Sequence, residues 1–158
     1  MTAHSDRFFA VRKAKRSPAL IPVLGALGYA GCVVAYLPLL TLLLPLRIEL
    51  IAGEARFGVL ATAMIAGAAM ASIAGILFGW LSDRSLERGT GRRYWIAAGL
   101  VATIASYAGI ASARTPAMLV LSVMAFQVAL NIALAPLMAL LAEESPDRQN
   151  GLMSGLLA

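Results

Sequence analysis

The chain has 158 residues, 60% of them apolar and 13% charged, and a net charge of +5. A soluble domain carries about 45–50% apolar and about 25% charged residues, so this composition excludes an ordinary soluble fold and points to a bilayer. A single histidine, His4, and a single cysteine, Cys32, leave no disulfide within the chain and no metal-ligand cluster.

Residues 1–16 form a basic tail containing Arg7, Arg12, Lys13, Lys15 and Arg16. The tail reads as a cytoplasmic topology determinant that also meets anionic lipid headgroups. Nucleic-acid binding has no support, because the basic residues lack aromatic or fold context for it. Residues 17–158 read as an all-α transmembrane bundle. The expected spans are approximately 18–46, 57–82, 94–113 and 115–142, with the start of a truncated fifth from 149. Each of the four windows reaches the roughly 20 residues that cross the hydrocarbon core, and each is continuously apolar rather than alternating, which favours helices over a barrel. The apolar run after Arg12 is too long for a signal-peptide core, so it reads as an uncleaved first span.

Span one contains Pro22, Pro38 and Pro45, with Gly25, Gly28 and Gly31 between the first two. Each internal proline removes a backbone donor, so kinks are expected, either lining a pathway or merely packing. Tyr29 and Tyr36 are seven residues apart and share a face. Contact with a ligand and simple aromatic packing are both open for them. Cys32 reads as a small packing residue.

Span two carries Ala63, Gly67, Ala71, Gly75 and Gly79 at strict four-residue spacing. Such a stripe lets another helix approach closely in lipid. The same stripe would also serve as a sliding surface in a carrier. The loop that follows holds Asp83, Arg84, Glu87, Arg88, Arg92 and Arg93, flanked by Trp80 and the interfacial pair Tyr94–Trp95. Ten of the 13 Lys and Arg residues fall in the tail, this loop and Arg148; Arg47, Arg56 and Arg114 fall on the other side. This asymmetry predicts a multi-pass protein of the cell (plasma or inner) membrane with its amino terminus in the cytoplasm.

Span four holds the amides Gln127 and Asn131, four residues apart on one face, followed by Pro136. A buried amide is costly unless paired, so this face should meet protein or a watery cavity. The readings are an interhelical hydrogen bond or a substrate-contacting pair suited to hydroxyl-rich ligands. Asp83 and Arg84 end span two on the same side as Glu143 and Glu144 at the end of span four. These charges form either a partly desolvated network that latches helices or a solvated anchor.

The order Gly79, Asp83-Arg84, then Gly91-Arg92-Arg93 resembles the loop between helices two and three of major facilitator superfamily transporters. The gap between the two motifs is longer than in most members and resembles the sugar–cation symporter branch, including sucrose-type carriers. The run from Glu143 through Pro146, Arg148 and Gly151 resembles the family's junction into helix five. The resemblance implies a conformational charge network at Asp83, Arg84, Arg92 and Arg93, with Glu143 as a partner. It also implies two six-helix halves around a midplane site, so the chain is expected to be an amino-terminal fragment whose partners are the missing carboxy-terminal helices, the bilayer and a small-molecule substrate. Two features depart from family patterns: span four lacks the arginine of many proton-driven drug exporters, and no acid lies within the four windows.

The leading expectation is a secondary active transporter that moves a small solute, such as a sugar, by alternating access. A drug or multidrug efflux carrier and a non-transporting four-helix accessory subunit are the alternatives. No nucleophile–base pair, phosphate loop or metal cluster is present in the sequence, so neither enzymatic activity nor a cofactor is expected.

Overall fold

The computed structural model describes the backbone of residues 20–89 and 91–144 and the side chains of 25–89 and 91–141. Every element among them is helical. In chain order these are α1 (Leu20–Pro38), a π-helical turn (Leu39–Leu43), α2 (Leu44–Ala52), a 3-10 turn (Gly53–Ala55), α3 (Arg56–Glu87), α4 (Arg93–Ser112) and α5 (Pro116–Glu144). The basic tail and the expected fifth span lie outside the described residues.

Three stretches among the described residues are long and apolar enough to cross a membrane: Gly25–Glu87, Arg93–Ser112 and Pro116–Leu141. These three stretches do not match the expected count of four complete spans and a truncated fifth. The difference arises at residues 47–56, expected as a loop but largely helical. Leu44 and Ile48 are buried one turn apart on α2, and this apolar side carries the helix past Arg47 and Glu49 as far as Ala52. Continued helix also keeps the backbone polar groups paired near lipid. Gly53 ends it with φ 50 and ψ −117, a backbone conformation that side chains other than glycine's rarely tolerate.

The chain reverses at this glycine. Arg56 Nη1 reaches Glu49 Oε1 at 3.4 Å across the turn, and α3 packs back along α2. Reversal is a geometric necessity in a bilayer. A straight helical run of 63 residues would extend about 95 Å at about 1.5 Å per residue, roughly three times the hydrocarbon thickness.

Helix α5 is the centre of the bundle and contacts α1, α3 and α4. Phe126, Gln127, Ala129 and Leu130 are all buried, so more than one face of α5 is covered, as befits a helix surrounded by others. Pro136 is buried within it without ending it. Small residues set the approach distances. A Cβ on Gly99 of α4 would strike the Ala133 backbone, and one on Gly25 of α1 would strike the Leu141 side chain.

The small-residue stripe of α3 faces α5 for most of its length. Ala63 and Gly67 are buried, and the Cβ position of Gly75 is 3.3 Å from Asn131 Oδ1. Gly79 has no described atom within 4 Å of its Cβ position. A four-residue step overshoots one helical turn by about 40°, so four steps carry the stripe roughly 160° around the helix. The face that α3 buries instead follows Ala63, Gly67, Ala74 and Ser82.

Candidate functional site: a polar-studded cavity and a charged loop

A cavity of about 360 Å³ lies where α1, α3 and α5 meet, and Tyr29, Tyr36, Gln127 and Asn131 all line it. The periodicities explain how. Tyr29, Cys32, Val33 and Tyr36 stand at i, i+3, i+4 and i+7 of α1, a single helical face. Gln127, Leu130, Asn131 and Leu134 repeat that pattern on α5. Ala71 of α3 contributes a wall with almost no side chain. Opposite Gln127 stands Gly67, whose Cβ position is 3.4 Å from Gln127 Cγ. Small residues on α3 thus leave the volume that the polar side chains border.

The two amides are not equivalent. Asn131 Nδ2 donates to the carbonyl of Gln127 at 2.9 Å, which commits its amino group within its own helix. Gln127 is 5% exposed, and its side-chain amide makes no hydrogen bond to a described residue. Buried polar groups in folded proteins nearly always find a partner. The Gln127 amide on the cavity wall is therefore placed to meet water or a ligand. Among the described residues, no acidic or basic side chain lines the cavity.

The loop between α3 and α4 brings together part of the expected charge network. Arg92 Nη2 donates to Asp83 Oδ1 at 2.7 Å, with the Arg92 side chain 6% exposed and that of Asp83 62%. Each charge is misplaced for its own helix: Asp83 lies near the carboxy-terminal end of α3, and Arg92 is the N-cap of α4. An acid at a helix C-terminus and a base at an N-terminus both oppose the macrodipole, so the pair offsets two unfavourable placements at once. Gly89 and Gly91, with φ 78 and 76, turn the chain between them.

The remaining members sit elsewhere. The Arg84 guanidinium stacks over the Trp80 ring at 5.4 Å, and Arg93 is exposed with no ion pair among the described residues. Glu143 falls in the last turn of α5, and its side chain lies outside the described set. Trp95 meets Phe78 at 5.7 Å, so Phe78, rather than Trp80, ties the two helices across the loop.

Two contacts escaped sequence reasoning. Arg47 Nη2 donates to the carbonyls of Ala111 and Ala113, at 2.6 and 3.1 Å. This places a cation on the carboxy-terminal end of α4, where the macrodipole favours it. The Tyr107 hydroxyl donates to the carbonyl of Ala35, joining α4 to α1. Both acceptors are backbone carbonyls, which carry no residue-type signal.

Long apolar helices packed through small residues define a multi-pass membrane protein. The chain matches the model of the Major Facilitator Superfamily over residues 3–158 and belongs to that superfamily of membrane transporters. No curated protein and no solved structure matches it.

Proposed function

We propose that this chain works in a secondary active carrier that moves a small, uncharged, hydroxyl- or amide-bearing solute by alternating access. A sugar is the class favoured by the loop's resemblance to sugar–cation symporters. The observation that carries the reading is Gln127, whose side-chain amide borders a cavity of about 360 Å³ and has no hydrogen-bond partner among the described residues. Pockets of roughly 300–1,000 Å³ with a few polar groups on an apolar lining are the usual form of small-molecule sites. In this reading Gln127 and Asn131 orient the solute, and Tyr29 and Tyr36 close on it from α1. The helical run Gly25–Glu87 crosses the membrane twice by reversing at Gly53, the described helices make four crossings, and the amino terminus is cytoplasmic. The Asp83–Arg92 pair latches the cytoplasmic ends of α3 and α4 in one state and releases them in the other.

The apolar side of the lining, including Leu37, Leu130 and Leu134, favours amphipathic drugs as the second reading. Uptake into proteoliposomes of a panel of neutral sugars, polyols and amphipathic drugs separates the two. For a neutral polar solute, replacing Gln127 and Asn131 together with leucine should raise the half-saturation concentration about tenfold, the equivalent of roughly one net hydrogen bond. An unchanged half-saturation concentration in the double variant would remove these amides from the site.

A further inference from the structure

We propose that Tyr107 is a latch that sets the position of the cavity-bearing half of α1, which otherwise swings about a joint at Pro38–Leu43. The functional meaning of that swing rests on the carrier reading above; the latch itself is argued from the backbone.

The joint is built into the sequence. Pro38 has no N–H to give the carbonyl of Val34, and Pro45 has none for the carbonyl of Thr41, so two backbone bonds are lost within eight residues. Between them the helix widens to a π turn over Leu39–Leu43, where the N–H of Leu44 bonds the carbonyl of Leu39. Thr41 Oγ1 donates to the carbonyl of Leu37 at 2.7 Å, a side-chain bond at the same weak point. Single π turns inside α-helices are frequent at functional sites because they are places where a helix can change register or bend.

The two sides of the joint are held differently. Beyond it, Leu44 and Ile48 are buried in the same core cluster as Leu39 and Leu40 of the joint, and Arg47 is tied to the end of α4 by two hydrogen bonds. Before it, α1 presents Tyr29, Cys32, Val33 and Tyr36 to the cavity. Gly31 on this half has open space at its Cβ position, whereas Gly25 and Gly28 pack on Leu141 and Leu137 of α5 and Cys32 joins the core cluster. The described polar tie from this half of α1 to α4 is the Tyr107 hydroxyl on the Ala35 carbonyl, one residue from Tyr36. The Tyr107 ring stands edge-on to Phe126, 5.3 Å between centroids, and Phe126 is fully buried beside Gln127. One side chain therefore couples the α1 wall of the cavity to the α5 wall. Removing its hydroxyl leaves the aromatic packing and the direct α1–α5 contacts in place and takes away one polar restraint on the inner half of α1.

Cys32, the only cysteine in the chain, is 6% exposed on that half and reports its movement without any need for a substrate. The test is the rate of Cys32 alkylation by a small maleimide in the full chain, purified in detergent and again in nanodiscs, with and without Tyr107→Phe. The latch predicts an increase of about two- to twelvefold, the change in an opening equilibrium brought by the loss of one net hydrogen bond. A second pair of proteins carries Cys32→Ser with Leu119→Cys, moving the thiol to a fully buried site on the far side of the joint. Its rate should be the same with and without Tyr107→Phe. An unchanged Cys32 rate overturns the latch, and so does an equal rise at both positions, which marks general loosening. Because no solute is involved, a chain that transports nothing in the panel above can still pass or fail this test.

Discussion

At the scale of single residues, the closest approach between helices is where Gly99 meets the Ala133 backbone. A Cβ there would strike main-chain atoms, which cannot rotate away as a side-chain tip can. Gly99→Ala should therefore push α4 from α5 and cost about 1–3 kcal/mol, as overpacked cores do. Gly31→Ala, with open space around its Cβ position, should lie within about 0.5 kcal/mol of the parent. Thermal unfolding in detergent measures both, and equal midpoints for the two variants would contradict the close-packed α4–α5 interface. The amide pair was legible in the sequence because glutamine and asparagine stand out in an apolar run. Their inequality was not, since it depends on which amide finds the carbonyl of Gln127. The Tyr107 and Arg47 contacts were invisible for a related reason: a side chain that bonds a carbonyl can select any residue as its partner.

At the scale of elements, the strand-free, apolar run lengths announced helices, and the charged loop announced a break near residue 88. What the sequence misplaced was the first break. A window defined by absence of charge ends at Leu46, whereas α2 continues past Arg47, which docks on α4, and past the exposed Glu49, and stops only where Gly53 takes a positive φ. The α3 stripe was legible as composition but only partly as geometry, because a four-residue repeat rotates off the contact face before Gly79. The loop pair makes a further prediction. Asp83→Asn removes the Asp83 carboxylate from the Arg92 guanidinium and should destabilise the fold by about 1–3 kcal/mol, between the values for exposed and fully buried pairs. Arg93→Gln, at an exposed position, should shift stability by less than about 0.5 kcal/mol. A double-mutant cycle with Asp83→Asn and Arg92→Gln isolates the coupling, and a coupling energy near zero would show that the pair contributes nothing. Under the latch reading of the loop, Asp83→Asn also slows solute uptake while the protein still inserts into the membrane.

At the scale of the whole molecule, α5 organises the bundle: α1, α3 and α4 each pack on it, and the cavity opens where small residues of α3 leave room beside its amides. Membership of the Major Facilitator Superfamily and this cavity together support the proposed role of Gln127, whose amide has no hydrogen-bond partner among the described residues. The family match stops at the superfamily, and the sugar–cation symporter reading rests only on the long gap between Asp83-Arg84 and Gly91-Arg92-Arg93. That gap lies in a surface loop, away from the side chains that would contact solute.

The most direct test of the cavity as the solute site uses the thiol that nature placed on its wall. In proteoliposomes shown to take up a neutral solute, Cys32 alkylation should slow in a saturable manner as that solute is added, with half-protection near the half-saturation concentration of uptake. A transported solute that leaves the Cys32 rate unchanged at saturating concentration would place the pathway elsewhere and contradict the account.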